Sequence, residues 1–244
     1  MRVIIPAAGK GRRLQPLTNT CPKCLVEVNG KPLLFYLLSN LKHCGVSDVI
    51  IVTGYHHEMI ESYVHSNPAF PRTTFIHNNQ YESSNSIVSI SLTMEYWDTD
   101  FCIIDSDLLV RYDLLQQLIT NIDTVLYVDT SKDLAQIDMR VKAENGRLLN
   151  MDYDIPPSET FGEFFGLSRW TPRAAAELKK TINKYIQRNE ISVLYEWPIR
   201  EMARNFYLPL KTCNSSSWFE IDKVSDYLKA SDFLKSIEQP KFLP

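Results

Sequence analysis

A short apolar run at residues 3–6 is followed at once by Ala7-Ala8-Gly9-Lys10-Gly11. Two of the chain's 8 glycines therefore stand in one three-residue window. For 244 residues that is about half the usual glycine share of ~7%. Two glycines directly behind a strand mark a point where the backbone needs conformational freedom. A strand that feeds such a loop and then a helix opens a βα unit.

The rest of the chain continues that alternation. Leu33, Leu34, Leu37, Leu38 and Leu41 recur at helical spacing, and Gly45 stands where a C-terminal cap belongs. Strands are expected at 49–52, 74–76, 101–104 and 125–128, with helices at 58–64, 85–97 and 114–122 between or beside them. Farther on, 140–143 and 147–151 flank Glu144-Asn145-Gly146 as a hairpin. Residues 164–167, 208–212 and 218–221 read as strands, and helices are expected at 171–187 and 199–205. Thr171-Pro172 is a good helix start, and Asp222 is expected to cap a last helix running to 237. The pattern predicts an α/β fold, a Rossmann-like, mostly parallel sheet flanked by helices, with a small α+β lid. One domain is expected over 1–244. Its parts fall at about 1–130, about 131–217 and 218–244, the last a strand with a C-terminal helix.

With 26 Lys+Arg against 29 Asp+Glu the net charge is −3. There is no basic stretch, which argues against a phosphate-tracking nucleic-acid binder. No apolar run reaches the ~18 residues that span a bilayer. The N-terminus lacks a signal-peptide core. Five cysteines are an odd number in a chain this long, and reduced thiols in the cytoplasm are the expectation. A homo-oligomer is compatible with the composition.

Three segments carry the chemistry. The first runs from Ala7 through Gly9, Gly11, Arg13, Leu14 and Pro16 to Thr18, with Pro22-Lys23 beyond. A glycine loop behind a strand lets backbone N–H groups face a polyphosphate, with Arg13 and Lys23 adding positive charge; an ordinary βα turn with solvated basic residues is the alternative. Leu14 occupies the third glycine position of the dinucleotide fingerprint, which disfavours a nicotinamide or flavin site. The second segment is Asp105-Ser106-Asp107 at the end of a buried strand, where open α/β folds bind ligands. Hard oxygen ligands there suit Mg²⁺ beside phosphates, and one of the two carboxylates equally serves as a cap. The third is Trp218-Phe219-Glu220-Ile221-Asp222, where strand alternation places Glu220 and Asp222 on one face.

The run G-x-G-x-R-L-x-P-L-T…P-K resembles the signature of the NTP-transferase family, nucleotidyltransferases that activate phosphorylated small molecules. Arg12 stands where that family usually has Ser or Thr, and Leu108 where it often has Asn. The resemblance implies a nucleotide-binding half at about 1–130, an acceptor-binding part at about 131–217 that includes the small lid, and a metal strand with C-terminal helix at 218–244, and that Ala7, Ala8, Gly9, Gly11, Arg13 and Lys23 wrap the triphosphate. It implies that Asp107, Glu220 and Asp222 hold Mg²⁺, and that Lys23, Arg13 and Asp107 are the catalytic set. Phe219-Glu220-Ile221-Asp222-Lys223 is similar to the bacterial phosphocholine cytidylyltransferase branch. So is Asn78-Asn79-Gln80-Tyr81 with Asn85-Ser86, which implies nucleotide contacts at Asn79, Asn85 and Ser86. Gly162-Glu163-Phe164-Phe165-Gly166-Leu167 is similar to cytidylyltransferases acting on phosphonates and related headgroups.

The implied reaction joins an NTP, with CTP resting on resemblance alone, to a small phosphorylated or phosphonate headgroup such as phosphocholine or 2-aminoethylphosphonate. Neither nucleic acid nor membrane is called for as a partner. Because the first half is committed to the nucleotide, the acceptor is expected on Tyr195, Trp197 and Trp218. Those rings would face a cationic headgroup, with Glu163 or Glu196 as counter-charge. The alternatives are a sugar-1-phosphate nucleotidyltransferase, a glycosyltransferase using Asp-x-Asp, which leaves the glycine-arginine loop unexplained, and a non-catalytic nucleotide-binding domain.

Overall fold

The computed structural model describes residues 1–237. Strand β1 (Arg2–Ala7) leads through the glycine loop to a small hairpin, β2 (Glu27–Val28) and β3 (Lys31–Pro32), and then to α1 (Leu33–His43). There follow β4 (Asp48–Thr53), α2 (His57–His65), β5 (Arg72–His77), α3 (Ser86–Ser91), β6 (Phe101–Ile104), β7 (Leu108–Val110), α4 (Tyr112–Thr120) and β8 (Val125–Asp129). The second half adds β9 (Arg140–Glu144), β10 (Arg147–Asp152), β11 (Gly162–Trp170), α5 (Pro172–Gln187), α6 (Glu196–Ala203), β12 (Leu210–Cys213), β13 (Trp218–Glu220) and α7 (Val224–Ser236).

The main sheet runs β10-β9-β11-β6-β1-β4-β5, with β8 on β11 and β12 on β8. Strands β6, β1, β4 and β5 are parallel to one another, as are β8 and β12. The long β11 runs antiparallel to β6, β8 and β9, and so ties the two halves into one sheet. Alternation along β1 sorts the core. Val3 and Ile5 face α1, α2 and α4, whereas Ile4 faces α3, α5 and α6. A third cluster seats α7 against Leu14, Leu33 and Ile221. Leu14 is fully buried there, so the residue in place of a third glycine is a packing residue. Helix α1 ends as expected: Gly45 sits at φ +79° and donates its N–H to the Lys42 carbonyl at 3.0 Å.

Two expectations differ, and one strand is unforeseen. The helix at 85–97 stops at Ser91. The Thr93 hydroxyl donates to the Ile90 carbonyl at 2.7 Å and accepts from Trp97 Nε1 at 3.0 Å, which locks the chain out of the helix. Strand β7 is too short to read as a separate element; it exists because β13 pairs with it. The last helix is capped at Lys223 rather than Asp222. Asp226 accepts from the backbone N–H groups of Asp222 and Lys223 at 3.1 and 2.8 Å, which leaves the Asp222 carboxylate free for another role. Among the described residues no helix is long and apolar enough to cross a membrane.

Candidate active site

The site is assembled by one short pairing. Glu220 lies opposite Leu108 in the β13–β7 ladder, and the Ile221 N–H donates to the Asp107 carbonyl at 3.1 Å. Asp107, 113 residues before Glu220 in the chain, thereby comes together with Glu220 and Asp222, their ligand oxygens within 4.8 Å of one another. Lys23 Nζ donates to Asp107 Oδ2 at 2.5 Å and to Asp222 Oδ1 at 2.9 Å. Arg13 Nη1 stands 2.8 Å from Asp222 Oδ2 as an ion pair, at an angle that leaves this oxygen without a hydrogen-bond donor.

Burial opposes the charge of Lys23, but Asp107, Asp222 and Glu220 outweigh it and hold the ammonium well above its usual range. Burial, with Asp107 beside it, pushes Glu220 up to about 8 despite the opposing pull of Lys23. Three carboxyl groups converge here on the Lys23 ammonium and the Arg13 guanidinium, and their hard oxygen donors are a set that fits a divalent cation among phosphates.

The glycine loop forms the adjoining wall. Gly11 has φ +58°, and a β-carbon there would press on the Lys23 and Thr18 side chains at 3.1 Å. The Thr18 hydroxyl donates to the Gly11 carbonyl at 2.8 Å. Glycine at this position therefore sets both the turn and the place of Lys23. Nothing lies within 4 Å of the β position of Gly9, so its backbone is open to the cavity it lines.

That cavity, of about 600 Å³, is shared by Ala7, Ala8, Gly9, Gly11, Arg13, Lys23, Asn85, Ser86, Asp107, Glu163, Tyr195, Glu220 and Asp222. Every one of these was expected from the sequence. Asn85 caps α3 by accepting from the Ser86 N–H, and Ser86 Oγ accepts from the Tyr195 N–H at 3.0 Å.

Three expected residues lie elsewhere. Asn79 is exposed, and its neighbour Asn78 takes the wall, fixed by a 3.0 Å hydrogen bond from its Nδ2 to Ser89 Oγ. Trp218 is buried, stacked on Phe165 at 4.0 Å and donating Nε1 to Asp129 Oδ2 at 2.9 Å. Trp197 packs edge-on against Tyr153 at 5.8 Å with the Arg200 guanidinium over it, and its ring is not part of the cavity wall. In both cases packing within the fold claims the aromatic face.

Residues outside the expected set complete the wall. Asp105 and Tyr153 line the cavity. The Asp105 N–H donates to the Gly166 carbonyl at 3.1 Å, and Gly166 sits at φ +82° in mid-strand. Burial, followed by the charges of Glu196 and Asp107, pushes the Asp105 carboxyl well above the usual range. The Tyr195 hydroxyl donates to Asp105 Oδ1 at 3.3 Å. A glycine inside a strand pattern is the sequence signal for such a close approach. Glu196, the alternative counter-charge, is buried in the wall and pushed up to about 7 by burial.

Fold, glycine loop and carboxylate cluster are those of a nucleotidyl-transferring enzyme, and the family match bears this out. Residues 2–129, more than half of the chain, match the nucleotidyl transferase family model, and the protein belongs to that family. Among its relatives, the choline-phosphate cytidylyltransferase of Streptococcus pneumoniae is 29% identical, over 97% of this chain and 99% of that protein. The choline-phosphate cytidylyltransferase of Haemophilus influenzae is 25% identical, over 93% and 94%. The solved structure of CTP:phosphocholine cytidylyltransferase LicC from Streptococcus pneumoniae matches with a TM-score of 0.78 at 24% identity, covering 96% of this chain and 98% of that one. The inositol-1-phosphate CTP transferase from T. maritima matches at 0.78 with 19% identity over 97% of each chain. The structural likenesses establish a shared fold.

Proposed function

We propose that the enzyme transfers the cytidylyl group of CTP to a small charged headgroup carrying a phosphate or phosphonate, such as phosphocholine or 2-aminoethylphosphonate, and releases pyrophosphate. The observation that carries this reading is the convergence of Lys23, Asp107, Glu220 and Asp222 on a cavity whose other wall is the glycine loop. The choice of CTP and of the headgroup class is supported by the names of the relatives. The five cysteines, all free thiols, fit a reducing cytoplasmic setting.

An acceptor oxygen attacks the α-phosphorus, the bond from that phosphorus to the bridging oxygen of the β-phosphate breaks, and pyrophosphate leaves with the electron pair. The nucleophile is already an anion at neutral pH, so no general base is needed. The residues must instead hold two anions in line and offset the charge that develops between them. Backbone N–H groups of Gly9 and Gly11 face the phosphates. Lys23 and Arg13 add positive charge, and Lys23 is kept protonated by its carboxylate neighbours. Asp107, Glu220 and Asp222 would hold Mg²⁺, which when bound supplies Lewis-acid stabilisation of the phosphate oxygens.

Pyrophosphate release from four NTPs, each against phosphocholine, phosphoethanolamine, 2-aminoethylphosphonate and glucose 1-phosphate, tests the proposal. CTP with a charged headgroup is the expected productive pair, and Asp107→Ala is expected to lower its turnover by at least ~10²-fold. Faster turnover with glucose 1-phosphate would replace this reading with sugar-nucleotide synthesis.

A further inference from the structure

We infer that the acceptor carries a cation with N–H groups, a protonated amine rather than a quaternary ammonium, and that Glu196 is the residue that selects it. This rests on the proposed transfer to a small charged headgroup and narrows its substrate class.

The cavity's buried carboxylates differ in one respect. Glu163 Oε2 and Asp222 Oδ2 also lack a hydrogen-bond donor, but Glu163 has the Lys132 ammonium at 2.6 Å and Asp222 has Lys23 at 2.9 Å and Arg13 at 2.8 Å, while Asp105 receives the Tyr195 hydroxyl. Glu196 is 8% exposed; a backbone N–H serves its carboxyl, but its Oε2 is buried with no hydrogen-bond partner and no ion pair is formed among the described residues. Arg200, one helical turn on, is directed to Asp152 and lies over the Trp197 ring 4.7 Å away, so it does not serve Glu196. A buried acceptor left without a donor is costly unless a ligand supplies one. Glu196 lies in the wall of the same cavity as the phosphate-facing residues, so a headgroup whose phosphate points at Lys23 can place its cation there.

The aromatic surface argues the same way. A quaternary ammonium has no N–H and is held by several ring faces. Trp197 and Trp218 do not reach the cavity. Phe164, Phe165 and Tyr195, which do line it, are 2%, 5% and 2% exposed and show little face. Tyr153, 48% exposed, is the ring available at this end of the cavity, and one ring is not a cage. A donor for the unpartnered Glu196 Oε2, rather than a box of rings, is what this wall calls for.

The test is a series of acceptors that differ only at nitrogen: phosphoethanolamine, its N-methyl and N,N-dimethyl derivatives, and phosphocholine, each with CTP. The expected kcat/KM falls along the series, with phosphoethanolamine at least about tenfold above phosphocholine, the loss expected when a charged hydrogen bond is removed. Glu196→Gln is expected to raise the amine acceptor's KM and flatten the series, with the KM for CTP little changed. Equal or better turnover of phosphocholine, or an unflattened series in Glu196→Gln, overturns the inference. Absence of turnover with every acceptor would instead sink the proposed transfer. Calorimetric titration of the same four compounds then decides the inference by itself, tighter binding of the primary amine supporting it and equal or weaker binding overturning it.

Discussion

Gly166 and Asp105 share one volume. Gly166 sits at φ +82° in the middle of β11, and a β-carbon on it would overlap the Asp105 carboxylate. The Asp105 N–H also donates to the Gly166 carbonyl at 3.1 Å. The register of β11 on β8 shifts between Phe164 and Ser168, the stretch that carries Gly166.

Gly166→Ala therefore combines left-handed strain with a clash against a buried carboxylate. A stability loss of about 1–3 kcal/mol is expected, together with a fall in turnover as Asp105 and then Asp107 are displaced. Chemical denaturation and pyrophosphate release check both. Native stability with native turnover would show that the strand absorbs a side chain there.

Lys23→Ala removes the cation shared by Asp107 and Asp222. Loss of a phosphate partner in both ground and transition states is expected to raise the KM for CTP and lower kcat together. An effect confined to the acceptor's KM would mean that the loop serves the other substrate.

Trp218 is a core residue and not an acceptor contact. Its stacking on Phe165 at 4.0 Å and its 2.9 Å hydrogen bond to Asp129 are both lost in Trp218→Ala. The expected cost is about 3–5 kcal/mol of stability, read by denaturant unfolding. The acceptor's KM is expected to stay within about twofold of the parent, since the ring makes no wall.

Glu196 gives stability a pH dependence of definite sign. Its folded value is about 7, raised by burial above an unfolded value of ~4.3. The folded state therefore binds more protons between these values. Its contribution is most favourable below the unfolded value and is lost as pH rises through about 7. In the absence of divalent cations and substrates, Glu196→Gln should be more stable relative to the parent at pH ~8 than at pH ~5. Denaturation of both proteins at the two pH values decides it, and parallel curves would place Glu196 in contact with solvent.

Local physics made much of this legible in the chain itself. Apolar periodicity fixed α1 with its glycine stop. It fixed the parallel strands too, because each element's buried face repeats within a few residues. The glycine pair behind β1 marked the phosphate loop, since glycine scarcity makes its placement informative. Strand alternation put Glu220 and Asp222 on one face.

Tertiary structure decided what those signals could not carry. Pairing of β7 with β13 has no local signature, because a three-residue strand is created by its partner, yet it alone brings Asp107 to Glu220 and Asp222. Asp222 reads as a helix cap until Asp226 is seen to take that task. Asn78 and Asn79 are the same residue type in adjacent positions, and only the end of β5 determines which one faces the cavity. Trp197 and Trp218 look available for a ligand in sequence, but a ring's face belongs to whichever neighbour packs on it first. Here Tyr153, Arg200 and Phe165 hold those faces, and residues distant in the chain settle that competition.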